Sequence, residues 1–296
     1  MMNTKYCRCS IFTKKKIEFP CYVQLKCDGS YREMKIKDNK VSFVSRQGKE
    51  YSYPSLEKEV LESGLPEGYY LGEFTIGDAF HAMNRFEGNG ILNRKDCPED
   101  NIHFTVWDYL TLDNYENCLE KYKFRIVKLQ ALQFWFPDWM SVVDSHIANS
   151  MEDIINYTSN YMSQGLEGSV IKLPEYIFAN GTSTKQFKLK LKVDADVRIT
   201  GTTKGEGKYS DTIGAITFST DDNLVMGKVS GMTDALRRDI GSNPSKYIGK
   251  IMSVEFNDLT PENNLSHPRF KEIRDDKSET DTLERIIQMR DMARRL

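Results

Sequence analysis

Lys26-Cys27-Asp28-Gly29 closes the apolar run Tyr22-Val23-Gln24-Leu25, which places a lysine at the end of a predicted strand. A lysine amine attacks an electrophile only when neutral, so a nucleophilic Lys26 needs a site that lowers its pKa by partial burial or by neighbouring cations. Asp28-Gly29 is a turn dipeptide, and apolar residues alternate after it at Met34 and Ile36. That pattern predicts a hairpin with the lysine at its mouth. An ordinary exposed hairpin would carry the same four residues, so the chemistry turns on what the rest of the chain sets at a distance.

The elements that must position Lys26 are short. Residues 21–25, 32–36 and 41–45 read as a three-stranded meander joined by Asp28-Gly29 and Asp38-Asn39. Residues 55–63 follow Pro54, carry Leu56, Val60 and Leu61 and stop at Gly64, which predicts an amphipathic helix. Residues 69–76 and 102–110 are aromatic and β-branched strands, and the polar excursion between them, 77–100, is long enough to be functional or mobile. A long helix is predicted over 116–136, ended by Pro137, and a second from the capping pattern Ser150-Met151-Glu152-Asp153 to Gly165. Strands follow at 168–173 and 186–193. The second carries Lys188, Lys190 and Lys192 on one face and Phe187, Leu189 and Leu191 on the other, a pattern that a solvated edge strand would share. From about Val197 the chain turns to short strands (197–201, 214–219, 224–229 and 251–259) with a helix over 233–240, the pattern of a small barrel. The end, 279–296, is helical, with Glu279, Asp281 and Glu284 early and Arg294-Arg295 late, as the helix dipole favours.

At 296 residues and 39% hydrophobic content the chain can build two domains. No run of about 18 apolar residues is present, and the short basic start around Lys5, Arg8 and Lys14-Lys15-Lys16 lacks an apolar core, so we expect no membrane span and a cytoplasmic protein. Six scattered cysteines without Cys-x-x-Cys spacing predict free thiols. A net charge of −2 excludes a wholesale basic coat but leaves room for local cationic patches on 41 Lys+Arg.

Six separated elements line up in order: Lys26-Cys27-Asp28-Gly29 with Arg32; Ser45-Arg46-Gln47-Gly48; Leu71-Gly72-Glu73; Phe104-Thr105-Val106-Trp107-Asp108; Glu167-Gly168-Ser169-Val170-Ile171-Lys172; and Lys188-Leu189-Lys190. In that order and spacing the chain resembles the covalent nucleotidyltransferases, the ATP-dependent DNA ligases in particular, with RNA ligases and mRNA capping guanylyltransferases sharing the lysyl-nucleotide chemistry. Farther on, Gly205-Glu206-Gly207-Lys208-Tyr209, His267-Pro268-Arg269-Phe270 and Arg274-Asp275-Asp276-Lys277 look like the ligase OB domain, so the resemblance spans nearly the whole chain. Arg32 lies one residue beyond the family's usual Lys-x-Asp-Gly-x-Arg position.

The resemblance implies an α+β fold: a nucleotidyltransferase (adenylation) domain of antiparallel sheets with flanking helices over 1–196, then a small OB-fold β-barrel with a C-terminal helix over 197–296. It implies that Lys26 takes AMP from ATP, that Glu73 and Glu167 serve a divalent metal, Mg²⁺ or Mn²⁺, and the ribose, and that Trp107 stacks on adenine. Arg46 would read the ribose or a 5′-phosphate. Gln24, Leu25 and Arg32 would line the nucleotide site, and Lys188 and Lys190, preferred over Lys192 by counting back from Asp196, would hold phosphate oxygens. Arg274 and Lys277 would orient the leaving pyrophosphate from a second domain that closes over ATP. The substrate implied is nicked double-stranded DNA, sealed by a monomer in replication, repair or recombination. With 25 residues before Lys26, we expect neither a nicotinamide-binding domain nor a helical DNA-encircling domain, the plan of small phage, viral and bacterial ligases.

Overall fold

The structure, a computed structural model, describes residues 5–94, 96–190 and 192–293. The chain divides into two compact units, Met1–Leu189 and Lys190–Leu296; the sequence pattern divides it at 196/197. In chain order the first unit contains β1 (Cys7–Ile11), β2 (Cys21–Leu25), β3 (Ser30–Lys37), β4 (Lys40–Val44), β5 (Glu50–Tyr51), α1 (Pro54–Ser63), β6 (Gly68–Ile76), α2 (Arg85–Leu92) and β7 (Ile102–Leu110). It continues through α3 (Leu112–Asn117), α4 (Tyr122–Leu132), β8 (Met140–Val142), β9 (Ser145–Ala148), α5 (Met151–Ser163), β10 (Gly168–Lys172) and β11 (Gly181–Lys190).

These strands form two sheets, one of order β1-β11-β10-β2-β9 and one of order β5-β4-β3-β6-β7-β8. The expected hairpin at Asp28-Gly29 is therefore corrected: β2 and β3 lie in different sheets, and Asp28-Gly29 carries the chain from one to the other. A Cβ on Gly29 would sit 2.5 Å from the Phe74 carbonyl oxygen, so the crossing passes against β6 where only glycine fits. The next turn is a hairpin as expected, with Asp38 and Asn39 both left-handed (φ 50° and 54°) and Lys37 opposite Lys40. Met34, Phe43, Phe74, Phe104, Ile126 and Leu129 form the core of the six-stranded sheet, and Val23, Ile171 and Phe187 pack with Ile154 of α5 on the other.

Other expectations change as well. The N-terminal leader contains β1, which pairs in parallel with β11. The helix expected over 116–136 is broken, because Cys118 turns left-handed (φ 54°, ψ 50°) after α3, whose Tyr115 is anchored on Tyr69 with ring centroids 3.6 Å apart. The excursion 77–100 holds α2. The capping pattern before α5 forms as read, with Ser150 and Asp153 each capping the other's backbone N–H and Gly165 left-handed at the end.

The second unit contains β12 (Val193–Lys204), β13 (Ile213–Ser219), β14 (Met226–Val229), α6 (Asp234–Ser242), β15 (Ile251–Phe256), β16 (Asp258–Leu259), β17 (Leu265–Ser266), β18 (Arg269–Ile273) and α7 (Leu283–Ala293). Its main sheet has the order β14-β13-β12-β15-β18. One isolated bridge, Ser230 to Arg269, joins its edges, and no closed barrel ladder forms among the described residues. The single strand expected over 186–193 is two, β11 and β12. Leu191 between them, and Arg294-Arg295 after α7, lie outside the described residues.

One buried acid makes the first unit's stability depend on pH. Glu33 of β3 is 3% exposed and accepts the Tyr115 hydroxyl at 2.7 Å. Burial pushes its carboxyl up to about 7, with Tyr115 and Lys35 opposing and Glu116 adding. Between the ordinary glutamate range and pH 7 the folded state thus holds a proton that the unfolded chain has lost, so stability falls as pH rises through that window and is flat above it. Glu33→Gln, neutral throughout, should match wild type near pH 4 and exceed it by roughly 3 kcal/mol above pH 7. Urea unfolding at the two pH values measures this; an equal shift at both would mean that Glu33 does not titrate in that window.

Candidate active site

Lys26 follows β2, and its backbone N–H donates to the Gly168 carbonyl at 2.9 Å, at the start of β10. Antiparallel pairing of β2 with β10 sets Leu25 against Ser169 and so brings Lys26 to Glu167, 141 residues away, where Nζ donates to Oε2 at 2.5 Å. Glu73 enters from the other sheet, in a cross-strand row with Tyr31 of β3 and Thr105 of β7. Burial pushes its carboxyl up to about 7, with Lys26 and Arg85 pulling it down and Glu167 and Asp28 adding to the rise.

The expected depression of the lysine pKa is not what the pocket's own residues produce. Burial works to lower it, but Glu167, Glu73 and Asp28 outweigh that and hold the Lys26 ammonium above the ordinary lysine value. Of these acids, Glu167 makes the direct contact, through its hydrogen bond from Nζ. Cys27, buried beside it, is pushed up to about 12, first by burial and then by Glu73, which leaves a neutral thiol.

Trp107 owes its aim to a bulge. In the β6–β7 ladder Leu71 pairs with Asp108 and Gly72 with Val106, so Trp107 is the extra residue. Its indole tilts against Tyr31 with centroids 6.1 Å apart. Lys172, from the end of β10, lies 4.8 Å from the indole centroid and donates to the Trp107 carbonyl at 3.0 Å. Burial pulls this lysine down to about 8. Lys172 is 1% exposed. The sequence pattern assigns it no role, although a lysine ending an apolar strand was the available signal.

Gln24 shares strand parity with Lys26 and faces the same way. Its Nε2 donates to the Tyr122 hydroxyl at 2.6 Å, and its buried Oε1 has no partner among the described residues. Leu25 points to the opposite face, packed with Cys27, Val143 and Tyr161, so only its backbone belongs to the site side of β2. Arg46 is exposed in a turn set by its immediate neighbours. Ser45 Oγ accepts the Lys49 N–H at 3.1 Å, Gly48 is left-handed at φ 78°, and the Arg46 guanidinium lies 5.3 Å from the centre of the Tyr6 ring. Tyr6 packs edge-on against Tyr31, and burial, with the Glu73 charge next, raises its hydroxyl's pKa. Burial first raises the Cys9 thiol's pKa, while Lys172, Lys26 and Lys188 oppose that rise; Lys188 itself pairs with Ile11 of β1. Tyr6 and Cys9 were missed because β1 carries no strand signature that separates it from a leader.

Arg32 is not brought to Lys26. It pairs with Gly72 across the ladder, on the face of β3 opposite Tyr31 and Glu73. There it stands 3.9 Å from the Tyr51 ring centre and donates to Ser30 Oγ at 2.9 Å. The one-residue offset from the family spacing reverses its side. Lys190 ends β11 two residues beyond Lys188, while Lys192 pairs with Glu255 at 3.2 Å. In the second unit Arg274 chelates Asp276 (2.9 and 2.7 Å) and contacts buried Asp196 at 3.3 Å, and Lys277 also pairs with Asp196. Among the described residues no group of three or more His, Cys, Asp or Glu side chains is arranged to hold a metal.

The family described as ATP dependent DNA ligase domain matches residues 1–192, more than half of the chain, and the family described as DNA ligase OB-like domain matches 204–274. The DNA ligase of Enterobacteria phage T4 is 25% identical over 92% of this chain and 68% of its own length. Among solved structures, Pmar-Lig_PreS3 superposes with a TM-score of 0.76 at 20% identity, over 88% of this chain and 65% of its own. The ATP-dependent DNA ligase from bacteriophage T7, in complex with ATP, gives a TM-score of 0.54 at 18% identity, over 92% of this chain and 99% of its own. The chain thus spans about two thirds of the length of the phage T4 and Pmar-Lig proteins.

Proposed function

The chain belongs to the ATP-dependent DNA ligase family, and we propose that it seals nicks in duplex DNA through an adenylate carried on Lys26. The observation that carries this reading is the nucleophile's setting. A lysine at a strand end is hydrogen-bonded to Glu167 and lies within the field of Glu73 and Asp28, inside the unit that the ligase family matches.

In the first step Lys26 Nζ, once it has shed its proton, attacks the α-phosphorus of ATP. The P–N bond forms, the bond to the β-phosphate bridging oxygen breaks and pyrophosphate departs. Glu167, which accepts the ammonium hydrogen bond, is the nearest base for that proton. AMP then passes to the 5′-phosphate at the nick, which regenerates the amine, and the 3′-hydroxyl displaces AMP to form the phosphodiester. Gln24 would form the floor of an adenine site, where its buried Oε1, without a partner among the described residues, would accept from an exocyclic amino group once the nucleotide is seated. Trp107 offers the stacking face. The same reading gives Arg46 to the ribose or 5′-phosphate and Lys188 and Lys190 to phosphate oxygens. Arg274 and Lys277 would orient the pyrophosphate, exchanging Asp196 and Asp276 for phosphate oxygens.

The donor set fits a hard divalent cation: Glu73 and Glu167 are carboxylates, and the neighbouring Cys27 thiol is neutral. Mg²⁺ or Mn²⁺ held by these two residues would supply positive charge to the phosphoryl oxygens of the bound nucleotide.

Incubation with α-labelled ATP and Mg²⁺, followed by a denaturing gel, tests the reading. The protein should carry label from ATP and not from GTP, and should convert a nicked duplex to a sealed one; absence of the adduct would refute it. Glu73→Ala or Glu167→Ala should each slow adduct formation by about 10²-fold or more, the scale of losing a preorganised electrostatic group, while the melting temperature stays near wild type. Wild-type rates in both variants would remove these residues from the site.

A further inference from the structure

The excursion 77–100 is a built scaffold. Gly77 N–H bonds to Asn101 O at 2.9 Å and Met83 N–H to Ile76 O at 2.8 Å, which pins its base to β6. Asp78 Oδ1 accepts the N–H groups of Phe80 (2.8 Å) and His81 (3.1 Å), and Asn84 Oδ1 accepts the Glu87 N–H at 3.2 Å to cap α2. Leu92 of α2 is buried in the core of the six-stranded sheet, and Glu99 accepts from Ser55 and Leu56 at the start of α1. What this scaffold delivers is Arg85, the first residue of α2, whose Nη1 meets Asp28 Oδ1 at 3.2 Å.

The nucleophile is thus flanked by two ion pairs at different depths. The inner one, Lys26 with Glu167, has side chains 23% and 14% exposed; the outer one, Arg85 with Asp28, has 39% and 47%. The inner pair holds the Lys26 side chain. The outer pair holds the turn on which Lys26 is mounted, two residues beyond it, where the chain crosses between sheets. Arg85 reaches the Asp28 carboxylate from 57 residues away and so ties that turn to a distant element.

We propose that Arg85 is a positioning residue for the covalent step: by clamping Asp28 it fixes the Lys26–Gly29 crossing and so the place from which the amine attacks. This rests on the lysyl-adenylate reading. An exposed ion pair contributes little to folding, whereas a nucleophile displaced by about an ångström costs on the order of 10²-fold in rate. Arg85 should therefore matter far more to adduct formation than to stability.

Arg85→Ala, Arg85→Lys, Asp28→Asn and the double variant Arg85→Ala with Asp28→Asn test this in single-turnover labelling by ATP. Arg85→Ala should lower the rate at saturating ATP by about 10- to 100-fold with little change in apparent ATP affinity, the mark of a lost orienting contact. Arg85→Lys should recover much of that loss, and the double variant should be no slower than Asp28→Asn alone. Amide hydrogen exchange of the peptide spanning Lys26–Ser30 should be faster in Arg85→Ala, with the rest of the first unit unchanged. A wild-type rate, a loss confined to ATP affinity, multiplicative losses in the double variant or unchanged exchange would each overturn the proposal. If the wild-type protein forms no adduct, the parent reading fails instead, and the exchange measurement alone decides whether Arg85 holds the turn.

Discussion

Lys26→Ala should leave no denaturation-resistant AMP on the protein, and Lys26→Arg should do the same. Alanine removes the nucleophile outright. Arginine keeps a cation opposite Glu167, yet its guanidinium stays protonated at any working pH and offers no lone pair. Comparing the two separates chemistry from charge: if Lys26 only neutralised the surrounding carboxylates, Lys26→Arg would retain labelling. The final step needs no lysyl adduct, so both variants should keep some sealing of a chemically pre-adenylylated nick. That measurement requires fixed low salt, because phosphate contacts make DNA binding steeply salt-dependent. Any adduct surviving denaturation in either variant places the nucleophile elsewhere.

Asp108→Asn should destabilise the first unit by about 3–5 kcal/mol, the cost of stranding a buried charge. Asp108 and Arg125 are both fully buried and bonded twice, Nε to Oδ1 at 2.8 Å and Nη2 to Oδ2 at 2.9 Å. Arg125 also donates to the carbonyls of Glu120 and Tyr176, which leaves it nowhere to go when the carboxylate disappears. A buried acid can escape by taking up a proton; a guanidinium cannot shed one. Since Asp108 adjoins the Trp107 bulge, the loss should extend to nucleotide binding. Replacing both partners, Asp108→Leu with Arg125→Met, should recover most of the stability, because an apolar pair of similar size needs no compensation. Urea unfolding of the single and double variants measures both effects. A loss below about 1 kcal/mol in Asp108→Asn would show that the pair is not the buried clamp its geometry describes.

Features written in neighbouring residues are legible in the chain itself. The Ser45-to-Gly48 turn needs only a serine oxygen and a left-handed glycine; the box between Ser150 and Asp153 needs two side chains three residues apart; and Asp38-Asn39 needs two residues that tolerate positive φ. The motif order singles out Lys26, Glu73 and Glu167 as candidates, and strand parity alone puts Arg32 among Met34 and Ile36.

The remaining features depend on contacts made far along the chain. Whether Asp28-Gly29 closes a hairpin depends on which strands β2 and β3 find, and β2 finds Ser169–Lys172 and Ser145–Ala148. The period-2 pattern specifies which side chains share a face and is silent on the partner. Recruitment of β1, which puts Tyr6 and Cys9 beside the site, rests on pairing with residues more than 170 positions away. The ionisation of Lys26 departs from expectation for the same reason: charge acts through space, and only the packing of β2 against β10 and the placing of β6 bring Glu167 and Glu73 to one nitrogen. Residue types and their spacing thus set which groups can do the chemistry and how each local turn presents them. The fold sets which of them meet, on which side of the sheet and in which protonation state, because pairing and electrostatics depend on distances that a one-dimensional pattern does not contain.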